Sequence, residues 1–146
     1  MKVEIFNLCD YATGDISGKM TLVGVFDSVY SRELPVVIMF CSVAIRVRFD
    51  KAEEGSKRLR ATIIDSDGIV IVPATETPVQ VFVPPEWQTS ITQIVAVIPQ
   101  LQLPHFGEYS LELEIDGQLQ ASTPLYAREI PMVSPHFQTP QRPARF

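Results

Sequence analysis

At 146 residues the chain is long enough for one domain with its own core. Its 46% hydrophobic and 20% charged residues are ordinary for a globular protein, and a net charge of −5 excludes the broad basic surface of a general nucleic-acid binder. The longest apolar run, residues 36–45, is about half of what a membrane-spanning helix needs. A cytoplasmic protein with no nucleic-acid or membrane partner is expected.

Residues 1–10 do not read as a secretory leader, because Glu4 and Asn7 interrupt the apolar stretch before Asp10. The spacing predicts strands over 3–12 and 20–31, joined by the turn-rich 13–18. Pro35 then precedes 36–49, which is apolar on both faces until alternation begins at Ile45. A strand that starts buried and ends with one face in water reads this way. After the charged loop 50–57, a second alternating segment covers 58–63. Asp67-Gly68 marks a tight turn before 69–72, and 79–83 is a short strand closed by Pro84-Pro85. Residues 90–98 are predicted as a strand from their β-branched content, closed by Pro99. The clearest hairpin is 111–115 and 119–126 around Asp116-Gly117.

Prolines or β-branched residues break every helical window. About eight or nine strands therefore predict an all-β fold. The expected form is a two-layer antiparallel β-sandwich, immunoglobulin-like or of related Greek-key topology, with a closed barrel as the alternative. Residues 1–130 are assigned to one sandwich domain. Pro131, Pro135, Pro140 and Pro143 set off 131–146 as a proline-rich tail or arm.

Motifs that could carry chemistry fail on their details. Gly14-Asp15-Ile16-Ser17-Gly18-Lys19 has one residue too few between its glycines for a phosphate loop, and Met20 stands where Ser or Thr should hold magnesium. Asp65-Ser66-Asp67-Gly68 with Glu76 resembles the two ends of a calcium loop, but Ile69 and Val70 occupy the positions of a ligand and a glycine. Cys9 and Cys41 sit in apolar strands and read as inert reduced thiols. His105 and His136 have no obvious partners. No catalytic residue, metal ligand or cofactor is assigned. Trp87, just after Pro84-Pro85, is a candidate interface residue, although packing on the core is expected first.

The best surface candidate is a set of four arginines. Ile45-Arg46-Val47-Arg48-Phe49 and Arg58-Leu59-Arg60-Ala61-Thr62-Ile63 look like the arms of one hairpin. Alternation puts Ile45, Val47, Phe49, Leu59, Ala61 and Ile63 on one face and Arg46, Arg48, Arg58 and Arg60 on the other. Like charges opposite one another cost roughly 0.2–1 kcal/mol per pair, so an acidic neighbouring strand is expected, with Glu108, Glu112 and Glu114 as its stripe. Left unpaired, the arginines would form an anion or acidic-partner patch.

Asp10-Tyr11-Ala12, then Gly18-Lys19-Met20-Thr21-Leu22-Val23-Gly24-Val25-Phe26-Asp27, resembles the opening of an uncharacterised bacterial family known only as a domain of unknown function. Arg58-Leu59-Arg60, Asp67-Gly68, Leu103-Pro104, Gly107-Glu108-Tyr109 and Ile115-Asp116-Gly117 extend the likeness over about residues 2–128. The resemblance implies a bacterial β-sandwich and no activity. A non-enzymatic module for protein–protein interaction or self-assembly is expected, its partner unidentified and a homo-oligomer among the options. The alternative is a small-ligand or anion-binding domain that uses the arginine face of a 45–63 hairpin. A third reading is an enzyme built from loop acids.

Overall fold

The computed structural model describes residues 1–131, so the tail expected over 131–146 lies almost entirely outside the described residues. Nine strands follow one another: β1 (Lys2–Gly14), β2 (Met20–Phe26), β3 (Ser28–Ser31), β4 (Val36–Asp50), β5 (Gly55–Asp65), β6 (Val70–Val81), β7 (Thr89–Leu103), β8 (Gly107–Ile115) and β9 (Gln118–Glu129). Among the described residues the one helical element is a single 3-10 turn, Lys51–Glu53. The strands form a four-stranded sheet, β2-β1-β4-β7, and a five-stranded sheet, β3-β9-β8-β5-β6. This is an all-β sandwich. All pairings are antiparallel except that of β3 with β9, which is parallel.

Alternation dictates the layer between the sheets. Cys41, Val43, Ile45, Val47 and Phe49 of β4 face Leu59 and Ile63 of β5 and Tyr109, Leu111, Leu113 and Ile115 of β8 in one continuous core. Fully burying a side chain of this size contributes roughly 1.5–3 kcal/mol, before the entropic cost of ordering it. The Asp116-Gly117 turn forms as the sequence predicts. Both residues have positive φ (51° and 79°), which suits the twist of the flanking strands.

Besides the break at Asp27 of the strand expected over 20–31 into β2 and β3, which join different sheets, the chain departs from its expected course in three places. The hairpin expected over 45–63 does not form, because β4 pairs with β1 and β7 whereas β5 pairs with β6 and β8. The connection between them crosses from one sheet to the other. It is fastened to the approach to β7 by Lys51 N–H on Gln88 O (3.2 Å) and Val83 N–H on Glu54 Oε1 (2.8 Å). The second departure is that 69–72 and 79–83 belong largely to one strand, β6, which passes through Pro73 and Pro78. An edge strand tolerates this, since an outward-facing N–H needs no ladder partner. The third is that β7 runs on through Pro99 to Leu103.

That last extension carries a kink shared by two strands. The inward rows read Val36, Ile38, then Cys41, Val43, Ile45 on β4, and Ile94, Ala96, Ile98, then Leu101, Leu103 on β7. Both slip by one residue at the same level, where Phe40 pairs with Pro99, and Gln100 takes a φ of 52°. Phe40 is turned outward as a result and is 70% exposed.

A second, smaller apolar cluster lies apart from this core. Cys9, Ala12 and Ala44 are buried there with Ile5, Met20, Leu22 and Val95 packed around them. The β1–β2 hairpin thus leans across the sheet towards β7. Gln93 Nε2 donates to Asp15 O (3.4 Å) and Arg46 Nη1 donates to Gly18 O, which hold it there.

Candidate functional site

The crossing of the chain separates the four arginines. Arg46 and Arg48 lie on the outer face of the four-stranded sheet, and Arg58 and Arg60 on the five-stranded one. No single arginine face exists. Each guanidinium also has a carboxylate beside it. Arg48 Nε lies 2.8 Å from Glu4 Oε1, and Arg46 Nε 3.8 Å from Glu4 Oε2. Arg60 Nη1 lies 3.7 Å from Glu114 Oε2, its partner across the β5–β8 ladder, and Arg58 Nη1 3.6 Å from Glu76 Oε1. Of the expected acidic stripe, only Glu114 meets an arginine opposite it. Glu112 pairs with Thr62 and Glu108 with Tyr126. Arg46 is the most embedded of the four, donating also to Gln93 Oε1 at 3.1 Å.

The turn residues behave as turn residues. Asp15 Oδ1 accepts the Ser17 N–H (2.8 Å), the Ser17 hydroxyl (2.6 Å) and the Lys19 N–H (3.1 Å). The Ser17 hydroxyl, followed by these backbone donors, holds the Asp15 carboxyl below the usual range. Asp65 does the same at the β5–β6 turn, where its Oδ1 accepts N–H from Asp67 and Ile69, each at 2.9 Å. The Ile69 N–H is the main cause of its lowered pKa, against the opposing effect of burial.

His105 has the partner that its sequence neighbours did not reveal. Its Nε2 lies 3.6 Å from Asp65 Oδ2, and its ring stacks on Tyr109 with centroids 5.0 Å apart. The Tyr109 hydroxyl donates to His105 O (2.7 Å) and accepts from His105 N–H (3.1 Å). The cluster ties the β5–β6 turn to the loop before β8. His136 lies outside the described residues.

Cys9 and Cys41 are both free and buried, and burial raises both thiols, Cys41 to about 11. Trp87 does not pack on the core. A turn in which its N–H donates to Pro84 O (2.9 Å) leaves it 58% exposed.

The surface feature that residue types did not reveal is an edge. Sheets end in rows of unpaired N–H and C=O groups, and folds blunt them with short strands, bulges, prolines or charges. Here β3 is four residues long, β6 carries Pro73 and Pro78, and β2, seven residues long, is interrupted by Gly24 in the left-handed region (φ +67°). The open flank of β1 carries Lys2 and the Glu4 bulge, and that of β9 carries Pro124. β7 carries its proline, Pro99, and its kink at one end, and the stretch before them has none of these devices. Residues 89–98 contain no charge and no proline, pair on one side with β4 in unbroken register, and are nowhere fully buried. Its hydrophobic pattern was legible, but its place at the end of a sheet follows only from topology.

Comparison with known proteins adds a family and no activity. A crystal structure from Bacteroides fragilis, named provisionally as a beta-galactosidase, has 18% identity and a TM-score of 0.39, covering 65% of this chain and 15% of its own. A likeness that weak supports no inference, and the chain spans less than a sixth of that protein's length. No curated protein matches the chain. The model of a family of unknown function, DUF6941, matches residues 4–128, and the chain belongs to that family.

Proposed function

We propose that this protein is a non-enzymatic interaction module that binds another polypeptide by adding a strand to the edge of β7 that is unpaired among the described residues. The single observation behind the reading is the contrast between β7 and the other sheet margins. Other margins carry a short strand, a bulge, a charge or a proline; β2 lacks charge and proline too, but over seven residues broken by the left-handed Gly24, whereas residues 89–98 run for ten without interruption. Main-chain hydrogen bonds supply affinity in strand addition, and side chains at alternate positions supply selectivity. On β7 the outward row is Ile91, Gln93, Val95 and Val97, and Val97 is 64% exposed. Three β-branched apolar residues and one uncharged amide suit an extended, uncharged segment and not an anion.

A photoreactive amino acid at position 97, introduced in the cells that make the protein, tests this. A discrete cross-linked adduct is expected from position 97 and not from position 112 on the opposite sheet. Equal, diffuse labelling from both positions would overturn the reading.

A further inference from the structure

We infer that the strand added to β7 is β7 of a second copy of this chain, antiparallel across a two-fold axis, making one continuous eight-stranded sheet. This rests on the reading of β7 as the binding edge and names its occupant. Three observations favour a second copy over a foreign strand.

The first is electrostatic. A two-fold axis places like residues near like residues, so any charge on the edge would meet its own copy. Residues 89–98 hold none, in a chain of which 20% is charged.

The second is geometric. Residues directly opposite in a continuous sheet must share a face, so paired positions differ by an even number. The axis then passes beside residue 93 or 94, where nine of the ten uncharged residues overlap, and the unpaired N–H and C=O groups find partners at identical spacing. The second sheet does not follow, because Pro73 and Pro78 interrupt donation along β6. Pairing therefore stops at two copies through one sheet and does not propagate.

The third is apolar surface held open beside the edge. Ile16 at the tip of the β1–β2 hairpin is fully exposed, and with Ala12, Met20, Gln93 and Val95 it lines an open cavity of about 410 Å³. The Gln93–Asp15 hydrogen bond holds that tip over β7. A mate seated on β7 covers Ile16, which a monomer leaves in water.

Sedimentation equilibrium on the full chain at micromolar to hundred-micromolar concentration reads the result, with circular dichroism to confirm that each variant is folded. The parent is expected to sediment as a dimer. Val97→Lys, at an exposed site, should weaken association about tenfold or more, since each tenfold step corresponds to ~1.4 kcal/mol. Val97→Thr, uncharged and β-branched, should keep it, and Ile16→Ser should weaken it without unfolding the chain. A parent that is monomeric throughout, or a dimer indifferent to Val97→Lys, overturns the proposal. If the monomer still gives a discrete adduct from position 97 in cells, only the self-pairing fails. If it gives none, the edge-binding reading fails as well.

Discussion

Glu4 Oε1 lies 2.8 Å from Arg48 Nε because β1 carries one residue more than β4 at that point. Val3 pairs with Val47 and Ile5 with Arg46, so Glu4 is the extra residue of a bulge. The bulge keeps Val3 and Phe6 on the core side while Glu4 turns outward, between two arginines on the neighbouring strand. One carboxylate thereby serves both guanidiniums of the four-stranded sheet.

The two arginine pairs should act independently. In urea denaturation, Arg48→Gln and Arg58→Gln are expected to be additive within about 0.3–0.5 kcal/mol, as for distant sites. Arg48→Gln and Glu4→Gln should couple by roughly 0.2–1 kcal/mol, the range for partly exposed pairs. A coupling between Arg48 and Arg58 as large as that between Arg48 and Glu4 would contradict their placement on separate sheets.

Gly24→Ala should be costly where Gly14→Ala is mild. Gly24 has φ +67°, and a Cβ there would collide with the Asp10 carboxylate. The left-handed backbone alone costs an L-residue roughly 1–2 kcal/mol. Gly14 has no positive φ, and its added Cβ would first meet the flexible Gln93 amide at 3.3 Å. Thermal melts of the two variants side by side separate the cases, and equal melting temperatures would count against a conformational role for Gly24.

Asp65→Asn should destabilise the protein at neutral pH and lose that effect in acid. The folded carboxyl is held below its ordinary value, chiefly by the Ile69 N–H. A depressed folded pKa gives stability that is complete above the unfolded value, near ~3.9, and is lost as pH falls through the folded value. Melting temperatures of parent and variant should therefore diverge above about pH 5 and converge well below pH 4. A gap that stays constant down to strong acid would show that the charge of Asp65 is not what the turn uses.

The two thiols should react in a fixed order. Neither should titrate with a disulfide reagent at pH 8 in the native protein, since burial raises both and Cys41 to about 11. Cys41 lies in the main core and Cys9 in the small cluster under the β1–β2 hairpin. Opening that hairpin exposes Cys9 without global unfolding, so Cys41→Ser protein should label faster than Cys9→Ser protein. Identical rates would mean that the hairpin opens only with the whole fold.

Much of the fold was legible because alternation is a local property. Ile45, Val47, Phe49, Leu59 and Ile63 all face the core as their spacing predicts. Strand pairing is not local. The 50–57 loop suits a hairpin or a crossing equally well, and the crossing is fixed by Gln88 and Val83, 37 and 29 residues from their partners Lys51 and Glu54. The His105–Asp65 contact spans forty residues for the same reason, and Glu4 escaped notice because a bulge breaks the parity that would have pointed to it. Trp87 was misplaced because Pro84-Pro85 bends the chain outward, where a strand start would have turned it in.

The paired slip of β4 and β7 near Phe40 and Pro99 divides their ladder into two stretches that read in different phase. Losing one residue from β4 alone at that level would invert one stretch of the strand, core side to water, against an unchanged neighbour. Losing one from each strand together would restore a common phase and leave every core residue facing inward. Length in this part of the molecule is thus a property of the pair: the two strands can be shortened or lengthened only in step, although about sixty residues of chain separate them.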